Sequence, residues 1–358
     1  MNVISKSAIL MVQISSGTVS SLYNLLQPLV SQFLPSSLSV PLAVLIAIVI
    51  FAIALSIFFS IFAYVFGWLE RKLIARAQSR HGPTYVGKWG FLQNLADLVK
   101  LVAKENIIPD EADQPLFQMM IPLMVATFVL ALAFIPFTPN FVAINSTIAA
   151  VVVFLLFAFV PLLVFLSGWT SGNKFGSIAA QRSVVMLLSY EIPLILVVAA
   201  VAMVSGGFSF LSIVNAQQSG LWYFIIMPIG AVLFFIVMIA ETERPPFDIR
   251  EADSELIAGW LTDIPAPYYS LVLLLDYIRM LAGVLLIAIL FFGGWLGPSF
   301  LPPFAWLMIK VVIITLFIMV IRATTVRMRL DRLIRLGWVY MMPLAVLNLF
   351  ITFVLFIK

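Results

Sequence analysis

GWLERKLIARAQSRHGPTYVGKWGFLQNLADLVKLVAKENIIPDEADQ, residues 67–114, is the polar island of an apolar chain. Arg71, Lys72, Arg76, Arg80, Lys88, Lys100 and Lys104 crowd into it, among Glu70, Asp97, Glu105, Asp110, Glu111, Asp113 and the only histidine, His81. Elsewhere charge is scarce: the 358 residues are 63% hydrophobic and 10% charged. A chain of this kind keeps such a loop for a polar task, in water or against a partner.

The surrounding sequence is lipid-soluble. A mean hydropathy of +1.15 and repeated apolar runs long enough to cross about 30 Å of hydrocarbon mark an all-α integral membrane protein. In lipid every backbone group must be satisfied internally, so the runs are helices. The net charge of +4 is read as loop charge facing the membrane surface, not as a nucleic-acid footprint. With no cysteine the chain cannot hold an iron–sulfur cluster by thiolates or form a disulfide. A single histidine rules out a multi-histidine metal site, and no metal site is expected. Any redox chemistry must use a cofactor held elsewhere.

Eight spans are expected, at about 40–66, 115–137, 148–167, 184–204, 222–240, 270–292, 304–321 and 338–357. Residues 1–38 read as an N-terminal arm or interfacial helix without a signal peptide, and 39–358 as a single membrane domain. The loops at 67–114, 168–183, 241–269 and 322–337 hold seven, two, two and five Lys/Arg, sixteen of the twenty. The other three loops hold none. The positive-inside rule makes the charged loops cytoplasmic and puts both termini on the opposite side, in a multi-pass cell-membrane protein.

Within the first loop, Phe91, Leu92, Leu95, Leu98, Val99 and Val102 fall within about 120° of a helical wheel, opposite Asp97, Lys100 and Lys104, as in an amphipathic interfacial helix. Gly82, Pro83 and Gly87 bend the chain before it. A basic lipid anchor accounts for the cations but not for six carboxylates. A second polar stretch, ETERPPFDIREADSELIAGWLTD at 241–263, holds seven acids against Arg244 and Arg250. Asp248, Glu251 and Glu255 are spaced to share one helix face, with Asp248 as N-cap and Glu251 as its N3 partner. Like charges on one face beside a membrane suit a relay of proton-accepting groups. Within the spans, Asp276 and Arg279 are placed to neutralise each other, Lys310 stands in the seventh, and Glu191 has no partner within a helical turn. In the last charged loop Asp331 lies four residues from both Arg327 and Arg335.

Several runs together resemble the H subunit of respiratory complex I (the first subunit in mitochondrial numbering), which is the membrane component at the junction with the peripheral arm. They are LERKLIARAQSRHGP with GFLQNLADLVKLVAKE, SGWTSGNKFGS, SYE at 189–191, AETERPPFDIREADSEL at 240–256, GGW at 293–295 and IRATTVRMRLDRLIRLGW at 321–338. The resemblance runs in order from about residue 45 to the C-terminus. The run from Arg80 to Lys88, Arg250 and Arg279 depart from the usual pattern, and the N-terminal arm is longer than is typical. These departures suggest a divergent, archaeal-type branch whose electron donor need not be NADH.

The resemblance implies a subunit without a redox centre of its own, in a proton-translocating NAD(P)H- or other-donor quinone oxidoreductase. Quinone is the substrate, and iron–sulfur clusters sit in partner subunits. The implied partners are peripheral-arm subunits carrying the terminal cluster and the other half of the quinone site, small membrane subunits, antiporter-like subunits and lipid, with no nucleic acid. The implied quinone-side residues are Glu70, Arg71, Arg76, Gln78, Arg80, Gly82, Pro83 and Asp97. The implied proton path is Glu191, Glu241, Glu243, Asp248, Glu251, Asp253, Glu255, Asp263 and Asp276, the last standing where Glu-Tyr is usual. Rival expectations are the membrane anchor of an energy-converting hydrogenase, an independent secondary transporter and a purely structural anchor. The absence of a visible inverted repeat or paired broken helices speaks against the transporter.

Overall fold

A computed structural model describes residues 24–28, 31, 36–139, 141–218, 220–250 and 253–356. The arm expected over 1–38 therefore lies mostly outside the described residues. The described residues form helices and no β-strand.

In chain order the helices are α1 (Ser36–Ala77), α2 (Gln93–Val102), α3 (Gln114–Phe134), α4 (Ala149–Thr170), α5 (Lys174–Ser205), α6 (Phe210–Gln218) and α7 (Tyr223–Ile226). They continue with α8 (Pro228–Glu241), α9 (Asp253–Leu256), α10 (Ala266–Phe291), α11 (Pro303–Thr324), α12 (Leu330–Arg335) and α13 (Met342–Phe356). Among the described residues six helical stretches are long and apolar enough to cross a membrane: α3, α4, α5, α10, α11 and the continuous run Leu330–Phe356. The first expected span falls on α1.

The fifth does not form one helix. Met227 leaves the helical region (φ −131°, ψ 69°), separating α7 from the 14-residue α8. Proline disfavours helix at the residue before it and brings no N–H, and Pro228 does both here. A hydropathy profile is blind to this break. Asn348 on α13 accepts a hydrogen bond from the Gly230 N–H at 3.1 Å, satisfying one of the donors that a helix start leaves over.

The helices also run further into the charged loops than hydropathy indicates. α1 continues to Ala77, so Glu70, Arg71, Lys72 and Arg76 stand on a helix rather than in a loop. Between α4 and α5 only residues 171–173 remain. The SGWTSGNKFGS run allows a close crossing there: a Cβ on Gly168 would lie 2.5 Å from the Gly176 carbonyl oxygen.

α10 is the central post. Every side chain from Ile278 to Phe291 is buried, and the helix packs on α1, α2, α3, α8 and α11. Buried all round, and apolar apart from Arg279, it has no solvent or lipid face over that length. Its far end is closed by polar side chains. Gln217 donates to the carbonyls of Ile289 and Leu290 at 3.0 and 3.2 Å. The Lys310 ammonium donates to those of Phe292, Gly294 and Leu296 at 2.7, 2.8 and 2.7 Å. Lys310 thus caps the α10 terminus and the turn after it.

Candidate functional site

The charged C-terminal ends of α1 and α11 and the Asp276–Arg279 stretch of α10 meet the segment after α8. Glu70 on α1 is 1% exposed and pairs with two cations, Arg244 and, at 2.5 Å, Arg322. Arg244 is buried too, with its guanidinium over the Tyr277 ring at 5.1 Å. Burial works against charge on Arg244, but Glu70 outweighs it and keeps the guanidinium protonated. A buried carboxylate survives in such a place because cations meet it there.

Two cavities adjoin this cluster. The inner one, about 260 Å³, is lined by Glu70, Glu243, Arg244, Asp248, Asp276 and Tyr277 among others. The outer one, about 1010 Å³, is lined by Arg80, His81, Gly82, Pro83, Thr84, Tyr85 and Gln93. Both share Arg71, Ile74 and Arg322 as walls.

The amphipathic helix α2 flanks the outer cavity. Its polar side and the turn before it are tied to α1: Asn94 donates to the Tyr64 carbonyl at 2.9 Å, Tyr64 to that of Phe91, and Trp68 to that of Trp89 at 3.2 Å. Arg71 and Gln93 reach Asp97 at 2.6 and 3.0 Å. Partial burial would raise the Asp97 carboxyl, but these two hydrogen bonds and the Arg71 charge outweigh it and hold it below the ordinary aspartate value. The other side of α2 is apolar and exposed, with Leu95, Leu98, Val99 and Val102 bare.

Further along the segment, Glu243 takes a left-handed backbone (φ 53°) that a residue with a side chain seldom adopts. Its carboxylate pairs with both Arg250 and Arg279. Arg250 also donates to Ser183 on α5 at 3.1 Å. Nearby, Glu191 Oε2 and Glu241 Oε1 are buried without a hydrogen-bond partner, and the two carboxylates lie within electrostatic reach of each other.

Residues 41–353 match the family model described as NADH dehydrogenase. The chain belongs to the NADH dehydrogenase family. It is 36% identical over 285 residues to the H subunit of the NADH-quinone oxidoreductase of Dehalococcoides mccartyi (strain CBDB1), covering 80% of either chain. It is 39% identical over 295 residues to the corresponding H 2 subunit from Syntrophobacter fumaroxidans, covering 80% of this chain and 88% of the relative. Similarity extends to the H subunit of the F(420)H(2) dehydrogenase of Methanosarcina mazei, at 35% over 299 residues, covering 79% and 85%.

In this NADH dehydrogenase family member the residues singled out on the quinone side fall into groups. Arg71, Arg80, Gly82 and Pro83 line the outer cavity, and Glu70 lines the inner one. Asp97 holds Arg71. Gln78 accepts from the Arg80 guanidinium at 2.8 Å, and Arg76 is exposed on α1. Of the acids, Asp276, Glu243 and Asp248 line the inner cavity, while Glu191 and Glu241 lie deeper. Glu255 pairs with Arg182 at 2.6 Å. Asp263 borders a separate groove near Lys104. Glu251 and the side chain of Asp253 lie outside the described residues.

Three local expectations are corrected. Asp248 does not cap a helix: it precedes α9 by several residues and pairs with Arg327 at 3.1 Å. The shared helix face of Asp248 and Glu255 therefore does not form. Arg279 does not neutralise Asp276: it points to Glu243 and the Glu241 carbonyl. Asp331 does not pair with Arg327, whose partner is Asp248. In each case a tertiary partner displaced the sequence-local one. Arg244 and Arg322, which complete the Glu70 cluster, carried no sequence signal beyond their charge, because their partner lies 174 and 252 residues away.

Proposed function

We propose that this chain is the membrane subunit of a proton-translocating quinone oxidoreductase, forming one side of the quinone chamber and the start of the proton path. The observation that carries the reading is the pair of adjoining cavities behind one wall of Arg71, Ile74 and Arg322. A quinone is a polar head on an apolar tail. The exposed apolar side of α2 suits the tail, and the guanidiniums of Arg71 and Arg80 suit the carbonyl oxygens of the head. Arg76 and Gln78 sit at the rim, where Gln78 orients Arg80. The names of the relatives, subunits of NADH-quinone oxidoreductases, support the same substrate.

The proton path begins in the inner cavity. Among the described acids, Glu243, Asp248 and Glu255 are engaged by arginines. Asp276, Glu241 and Glu191 form no ion pair among the described residues, and these three carry the proton exchange. The ion-paired acids hold the segment in shape. Glu251, Asp253 and Asp263 belong to the same acidic stretch of sequence and are assigned to the same path. The chain crosses the membrane eight times, with α1 as the first crossing and α7–α8 as the fifth. The charged loops face the cytoplasm, as the Lys/Arg asymmetry favours. Iron–sulfur clusters belong to partner subunits, since this chain has no cysteine. Antiporter-like subunits receive the proton-coupled change.

The test is mild detergent extraction, identification of everything that co-purifies, and a quinone reductase assay on the same fraction. The expected result is recovery with iron–sulfur and antiporter-like subunits and quinone-dependent turnover. Recovery with a nickel–iron hydrogenase and no quinone activity, or as a lone chain, would overturn the reading. Glu191→Gln is expected to abolish most of the proton translocation; full pumping in that variant would remove Glu191 from the path.

A further inference from the structure

We propose that Arg322 is a two-position side chain that relays negative charge arriving in the outer cavity to the inner one, an inference that rests on the quinone reading above. At rest it pairs with Glu70 at 2.5 Å from the last turn of α11, its side chain about a third exposed (35%). It borders both cavities, whereas Arg244, the other cation on Glu70, borders the inner one alone. The remaining guanidinium of the shared wall, Arg71, is committed to Asp97.

The two partners of Glu70 are therefore unequal. Arg244 is buried and stacked on Tyr277, so removing it takes the fixed countercharge from a carboxylate that has left water. Arg322 can leave without that consequence, because Glu70 keeps Arg244. A long arginine side chain can swing its head by several ångströms without moving its helix. Negative charge on a headgroup oxygen in the outer cavity attracts the guanidiniums that line it; Arg80 does not border the inner cavity and Arg71 is held by Asp97, so Arg322 is the one whose movement changes the charge of both. Once it turns outward, one positive charge is withdrawn from the inner cavity, and less positive charge then faces the Asp276 carboxylate. The loss of that countercharge favours a proton on Asp276. With its head on Glu70 at rest, Arg322 acts as a positioning residue that couples two compartments.

A purely structural arginine at this helix end would affect assembly and turnover together. A relay affects the number of protons moved per quinone reduced. The experiment uses the intact complex in liposomes, with wild type, Arg322→Gln and Arg322→Lys compared for turnover, quinone KM and protons translocated per quinone. For Arg322→Gln the ratio is expected to fall at least twofold, with a smaller loss of kcat. Arg322→Lys keeps the charge and is expected to recover more than half of the lost ratio. An unchanged ratio in Arg322→Gln, or equal losses in both variants, overturns the proposal, as does failure of both variants to assemble. A wild-type complex without quinone turnover defeats the proposed function itself, which is a separate outcome.

Discussion

Arg244, in the segment after α8, meets Glu70 on α1 across 174 residues of sequence, and both side chains are almost wholly buried. The pair joins the first helix to the acidic segment at the wall of the inner cavity. Burial makes it costly to break, because the surviving ion has no water to replace its partner. Arg244→Met is expected to destabilise the protein by about 3–5 kcal/mol. The double variant Glu70→Met/Arg244→Met is expected to lose less than the sum of the single losses. Thermal unfolding of the detergent-solubilised protein reads both.

Lys310 holds three carbonyls in the turn that closes α10. Lys310→Met removes all three hydrogen bonds and leaves those acceptors to compete for few donors. A loss of about 2 kcal/mol or more is expected, since hydrogen bonds to charged groups are the stronger kind. Hydrogen exchange should locate the loosening at residues 289–297. Faster exchange spread evenly over the whole protein would show that the cap is not local.

Gly230 and Asn348 are matched in size as well as in hydrogen bonding. A Cβ on Gly230 would lie 2.9 Å from Asn348 Nδ2. Gly230→Ala is expected to cost about 1–3 kcal/mol by crowding, and Asn348→Ala a similar amount by orphaning the Gly230 N–H. In the double variant the crowding disappears. Its stability should therefore match that of Asn348→Ala alone, and simple additivity of the two losses would contradict this packing.

The α1–α2 junction should depend on pH through Asp97. Its carboxyl lies below the ordinary value of 3.8 because hydrogen bonds from Arg71 and Gln93 outweigh its burial. A depressed value in the folded state means that the stabilisation is fully present above 3.8 and is lost as pH falls through the lower, folded value. Exchange protection over 93–102 is expected to stay flat from neutral pH down to 3.8 and to drop only below it. Asp97→Asn should lower protection even at neutral pH, which would tie the effect to this side chain.

The sequence by itself determined that this protein is a set of apolar helices with most of its charge gathered in a few stretches between them. It did so because hydrophobic length and the Lys/Arg bias are properties of contiguous residues, read without knowing what packs on what. It also marked Glu70, Asp97, Glu191 and Asp276, since ionisable groups in an apolar chain stand out by composition. The amphipathic period at 91–102 was legible for the same reason: one helix face is written in one stretch of chain. Only the tertiary structure decided partners. Asp248 turned to Arg327 rather than to a helix start, Arg279 to Glu243 rather than to Asp276, and Glu70 to Arg244 and Arg322. Spacing can propose a partner three or four residues away at modest gain, but burial rewards whichever cation arrives from another helix, and sequence separation holds no trace of that. The break at Met227 lies between the two cases. Pro228 was visible in the sequence, yet a proline in a span ends a helix only where a neighbour such as Asn348 takes up the freed backbone group.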